Sequence, residues 1–100
     1  MISVKVEKEN RKKKKIKILG HAMYDDYGKD IVCAAVSSIA TTTVNGILAL
    51  NKNSLSYMVS KKGLSIDIKN TDETTQILIG NMVSLLKELE VNYPENIEVK

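Results

Sequence analysis

The 100-residue sequence has one cysteine, one histidine, one proline and neither tryptophan nor phenylalanine. A single cysteine excludes an intramolecular disulfide and any four-thiolate metal site. A single histidine removes the usual zinc ligand sets, and so short a chain has no room for a separate cofactor domain, so no metal and no organic cofactor is expected. An unpaired thiol fits a reducing, cytoplasmic setting. Tyr24, Tyr27, Tyr57 and Tyr93 are the whole aromatic complement. By this reading no apolar run approaches the roughly 18 residues of a membrane span. The charged, alternating start does not have the form of a secretory leader, and no membrane partner is expected. The length suits one domain, residues 1–100.

Charge is present but uneven. The net charge is +3, yet residues 1–20 carry eight Lys/Arg against Glu7 and Glu9, and residues 21–100 carry seven Lys against ten acids. The basic character therefore belongs to one N-terminal segment. A lysine-rich hairpin tip kept in solvent accounts for it. A phosphate-facing patch for RNA is the alternative, although the run Arg11 to Lys15 lacks interleaved aromatics.

Ile2, Val4 and Val6 alternate with Ser3, Lys5 and Glu7, and Ile16 and Ile18 alternate with Lys15 and Lys17. Period two predicts a hairpin, with polar residues 9–13 as its turn and Gly20 at its end. Residues 21–29 read as a loop. Asp30 reads as the N-cap of a long helix that Asn51 and Asn53 close. Ile31, Ala35 and Ile39, then Val36, Ala40, Val44 and Ile47, form its apolar positions, and Thr41-Thr42-Thr43 predict a locally weak middle. Leu55 and Tyr57 open a third strand, Lys61-Lys62-Gly63 turn the chain, and Leu64, Ile66 and Ile68 form a fourth. Thr71 is expected to cap a second helix with an apolar stripe of Ile77, Leu78, Met82, Leu85, Leu86 and Leu89. Asn92 and Pro94 end it, and Ile97 and Val99 make a last strand. The order strand-strand-helix-strand-strand-helix-strand predicts an α+β two-layer sandwich, with two helices on one face of a mostly antiparallel sheet.

The chemistry concentrates on two residues. With Asp30 as cap, Cys33 takes the third helical position, where unpartnered first-turn amides and the helix dipole favour a thiolate. The same amides suit the oxyanion of a tetrahedral intermediate. A thiol nucleophile needs a proton acceptor, and His21, twelve residues upstream, is the one imidazole available. Taken alone, a lone Cys is most often a buried packing residue. Ser37 shares the helix face of Cys33 and either donates a hydrogen bond near it or back-bonds to its own helix.

The string Gly20-His21-Ala22 followed by Tyr27-Gly28-Lys29-Asp30-Ile31-Val32-Cys33-Ala34-Ala35-Val36-Ser37 closely resembles the ribosomal-processing cysteine protease family (Prp, or YsxB-like). The resemblance extends over the whole chain. It implies a small homodimeric α/β cysteine endopeptidase that removes an N-terminal extension from a large-subunit ribosomal protein. By position it implies Cys33 as nucleophile and His21 as general base. Asp30, Ser37, Gly20 and Gly28 match supporting positions. Ala22, Met23, Tyr24 and Tyr27 fall in the loop that the family moves over its substrate. Met23, in a place where relatives often carry a small residue, the acids Asp25-Asp26 and the triple threonine depart from the pattern. The rival reading is a non-catalytic ribosome- or RNA-binding module using the basic hairpin Arg11 to Lys15.

Overall fold

The computed structural model describes residues 1–20 and 27–100, with residues 27–30 described by their backbone alone. Strands β1 (Ile2–Glu9) and β2 (Lys12–Leu19) form the first hairpin, and helix α1 (Tyr27–Leu50) follows. Strands β3 (Leu55–Ser60) and β4 (Gly63–Ile68) form the second hairpin, followed by helix α2 (Glu73–Asn92) and strand β5 (Ile97–Val99). The sheet order is β3-β4-β2-β1-β5. Three ladders are antiparallel, and β5 runs parallel to β1 with Ile2 opposite Ile97. This is the expected α+β sandwich.

The alternation in the sequence sets the two faces. Ile2, Val4, Ile16, Ile18, Leu55, Ile66, Ile68 and Ile97 are buried on one face. Both helices cover that face and join the same core through Val32, Val36, Ala40, Val44 and Ile47 of α1, and Ile79, Met82, Val83 and Leu86 of α2. Each fully buried aliphatic side chain contributes roughly 1.5–3 kcal/mol. Two expected stripes are shifted. Ile31, Ile77 and Leu85 are exposed, and Val32, Ile79 and Val83 take the buried positions beside them. In α2 the buried stripe starts from Thr75 and recurs at Ile79, Met82, Val83 and Leu86, so a reading keyed on Ile77 fell on the neighbouring face.

The turns also differ in detail. The first hairpin turns on two residues, Asn10 (φ 53°) and Arg11 (φ 67°), so the strands run further than the polar composition of residues 9–13 suggested. Two successive positive φ values are what a two-residue hairpin of right-handed twist requires. Lys8 pairs with Lys13 whereas Glu7 pairs with Lys15, which leaves Lys14 as the extra residue of a β-bulge. At that bulge the Gln76 side chain takes the place of a neighbouring strand. It accepts from the Lys13 amide at 2.9 Å and donates to the Lys13 carbonyl at 2.8 Å.

Helix α1 runs without a break through Thr41-Thr42-Thr43, so tertiary packing overrides their weak propensity. From Ile31 to Leu50 it carries no charge, and with a mean hydropathy of 1.7 it is long and apolar enough to cross a membrane by length and composition alone. The expectation that no apolar run approaches a membrane span in length is therefore corrected for this helix. Here its buried stripe joins the core through Val32, Val36, Ala40, Val44 and Ile47.

The second helix is capped one residue later than expected, by Asp72 and not Thr71. Its carboxylate accepts from the Thr75 amide at 3.0 Å. The Thr75 side chain and then this amide hold the Asp72 carboxyl below its ordinary value. A depressed folded-state pKa stabilises the protein above the unfolded value and loses that stabilisation as pH falls through the folded value. Thermal melts of the parent and Asp72→Ala should therefore differ at neutral pH and converge as the pH drops below the ordinary Asp value of 3.8. A gap that stayed constant down to the acid limit would contradict this.

Candidate active site

Helix α1 begins at Tyr27, three residues before the expected cap. Tyr27 and Gly28, read as loop, lie in its first turn, and Asp30 is helical and not the N-cap. Cys33 is consequently the seventh helical residue, not the third. The amides without intrahelical acceptors are those of the first turn, and an amide at the seventh position has a carbonyl four residues back. Since the dipole effect falls off within the first turn, the expected juxtaposition of Cys33 with free first-turn amides is not what the helix provides.

Cys33 is half-buried and packs against the core. It lies on the wall of a cavity of about 410 Å³, a size typical of small-molecule and peptide side-chain sites. Helix α1 supplies two adjacent rows to this cavity. Cys33, Ser37, Thr41 and Asn45 recur at four-residue steps along one row, and Val36, Ala40 and Val44 form the next. At 1.5 Å per residue the polar row is about 18 Å long, which matches an extended peptide of roughly five or six residues. The sheet closes the cavity from below with Ile2 and Ile18, and the second hairpin forms a side wall with Tyr57, Val59, Gly63 and Leu64. Tyr57 and Val59 are exposed despite bordering this apolar space.

Gly20 and Gly63 shape the same end of the sheet. Gly20 has φ 81°, and a Cβ there would lie 2.4 Å from the Met1 carbonyl oxygen. Only glycine combines that φ with such a close approach. Gly20 also borders the cavity and immediately precedes His21 in the chain. The Gly20 amide donates to the Lys62 carbonyl at 3.0 Å, which ties the end of β2 to the second turn.

Of the residues singled out in the sequence, Cys33, Ser37 and Gly20 therefore converge on one cavity. His21, Ala22, Met23 and Tyr24 lie outside the described residues, as do the side chains of Tyr27, Gly28 and Asp30. Thr41 and Asn45 were not singled out, although the four-residue spacing from Cys33 was there to be read. Tyr57, Val59 and Leu64 carried no such signal, because only the chain topology brings the second hairpin beside α1. Among the described residues no group of His, Cys, Asp and Glu is arranged to hold a metal ion.

A nucleophilic residue type on a peptide-sized cavity of an α+β sandwich agrees with what the whole chain matches. Residues 1–98 fit the family model described as cysteine protease Prp, and the chain belongs to that family. It is 31% identical over 83 residues to the ribosomal processing cysteine protease Prp of Staphylococcus aureus, covering 80% of this chain and 78% of that one. The crystal structure of an essential S. aureus Prp in complex with a substrate peptide superposes with a TM-score of 0.90 at 28% identity, covering 100% of this chain and 98% of the other. The S. aureus protein with a covalently linked product peptide gives 0.89, at the same identity and coverage.

Proposed function

We propose that this chain is a cytoplasmic cysteine endopeptidase that removes the N-terminal extension of a large-subunit ribosomal protein, with Cys33 as nucleophile and His21 as general base. The observation that supports this most directly is the position of Cys33 on the wall of the cavity, in a chain of the cysteine protease Prp family. In the proposed reaction His21 takes the thiol proton and the Cys33 sulfur bonds to the peptide carbonyl carbon. The carbon–nitrogen bond then breaks, and the same proton goes to the leaving amine. Water, deprotonated by His21, hydrolyses the resulting thioester and restores the thiol. No cofactor enters these steps. The apolar floor of Ile2, Ile18, Val36, Ala40 and Leu64 suits apolar and aromatic substrate side chains. The reading is tested by cleavage of such a peptide by the parent and Cys33→Ala proteins side by side.

The working unit in this proposal is a homodimer. The outer side of helix α1, which is uncharged from Ile31 to Leu50, supports it, since Ile31 and Leu50 are 57% and 69% exposed. Sedimentation at micromolar concentration should give twice the 11.1 kDa chain mass, and a monomer would contradict it.

A second contact, to RNA through the basic hairpin, is favoured by one feature of the outer sheet face. Lys5 stands directly opposite Lys17, and the next residue across the sheet is Ser65. Like charges directly opposed destabilise a ladder unless an anion lies between them. The neighbouring Lys15 has Asp67 at 3.5 Å, whereas among the described residues Lys5 and Lys17 have no carboxylate partner. If this pair meets two phosphates, the log–log salt dependence of RNA binding should lessen by about 1.4–1.8 units in Lys5→Gln/Lys17→Gln. An unchanged slope would remove the reading.

A further inference from the structure

The open edge of β3 carries an inference that rests on the endopeptidase reading. Strand β3 is the outermost strand of the sheet, and among the described residues nothing pairs with its far side. Which of its backbone groups face that side follows from the ladders. The two-residue turn Lys61-Lys62 closes on the pair Ser60 and Gly63. Hydrogen-bonded and non-hydrogen-bonded pairs alternate along an antiparallel ladder, and a two-residue turn closes on a hydrogen-bonded pair. Ser60, Met58 and Ser56 therefore bond to β4. The Gly20 amide reaches the Lys62 carbonyl on the opposite side of β4, so that even-numbered β4 residues face β2, as this alternation requires. Tyr57 and Val59 are left with both their amide and their carbonyl directed to the open edge.

The side chains of these same two residues border the Cys33 cavity. They are 50% and 71% exposed, and Met58 between them is 70% exposed. A bare, apolar strand edge invites pairing by another extended chain. We propose that the substrate docks as a sixth strand on β3, hydrogen-bonded to the backbone of Tyr57 and Val59. Every second side chain of the added strand then faces the mouth of the cavity, between β3 and the row Cys33, Ser37 and Thr41. Backbone pairing provides affinity without regard to sequence, and the cavity selects the alternate side chains.

The test is a series of substrate peptides, each with one backbone amide N-methylated. Strand addition predicts an alternating pattern: kcat/KM falls about tenfold at positions i and i+2 and is unchanged between them. On the enzyme side, Val59→Pro removes a donor that faces the open edge, a placement proline tolerates. It should raise KM about tenfold while alkylation of Cys33 proceeds as in the parent, which also reports that the fold survives. A methylation series without alternation would overturn strand addition. So would a dimer that dissociates in Val59→Pro while the methylation series shows no alternation, since the edge would then belong to a second copy. Cleavage that persists in Cys33→Ala would instead overturn the endopeptidase reading on which the inference rests. Cleavage that needs Cys33 but ignores methylation would overturn strand addition alone.

Discussion

Cys33→Ala is expected to lose peptide cleavage by at least about 10⁴-fold in kcat, because no other nucleophile stands ready to replace the thiol. Ser37 lies one helical turn along the same row and borders the same cavity. Its hydroxyl is a far weaker nucleophile at neutral pH, and it sits about 6 Å further along the helix. The loss should therefore appear in kcat and leave peptide affinity nearly intact, since the cavity floor is unchanged. Stability should change little, because Cys33 is only half-buried and loses one sulfur atom. Iodoacetamide should label the parent once per chain and the variant not at all, Cys33 being the single thiol. Parent-like cleavage by Cys33→Ala would remove Cys33 as the nucleophile.

Gly63→Ala should be the most damaging of the small substitutions. Gly63 has φ 143°, in the region that side chains avoid, and an added Cβ would lie 1.9 Å from the Ile18 carbonyl oxygen. Neither chain has room to yield. Ile18 is buried and paired with Leu64, and Gly63 itself is paired on both sides, with Leu19 and with Ser60. Backbone strain of this kind costs roughly 1–3 kcal/mol, and the displacement of a central ladder adds to it. Denaturant unfolding of Gly63→Ala should show a loss of about 3 kcal/mol or more. Because Gly63 also borders the cavity, the folded fraction should cleave peptide more slowly than the parent. A variant as stable as the parent would mean that the second hairpin moves as a unit, contrary to the pairing on both sides.

Much of this architecture was legible in the residues. Period-two alternation located the four long strands, and cap and turn residues separated them, because those signals are local. The start of α1 was not legible. Asp30 has the chemistry of a cap, and Gly28 that of a loop, but capping preference is worth little beside the packing of a 24-residue helix. The shifts from Ile31 to Val32 and from Ile77 to Ile79 have a related origin. Where apolar residues crowd two adjacent helix faces, only the partner surface decides which one is buried. At the site, the motif pointed to Cys33, and the four-residue step from it could have led to Thr41 and Asn45. Tyr57 and Val59 required the tertiary fold, which lays β3 back along α1, the helix it directly follows.

The parallel pairing of β1 with β5 sets a sequence of events in time. The two hairpins are local and can close within microseconds of being available. Residues 97–100, by contrast, must find β1 across nearly the whole chain, where Lys100 exchanges hydrogen bonds with Val4 and Val6. Non-local closure of this kind is the slow part of folding. Until it happens β1 is itself a bare edge, carrying alternate valines and isoleucine, in a hairpin whose second strand is lysine-rich. The net positive charge of that hairpin then has a second expected use: like-charge repulsion between half-folded chains during the interval before the last strand arrives.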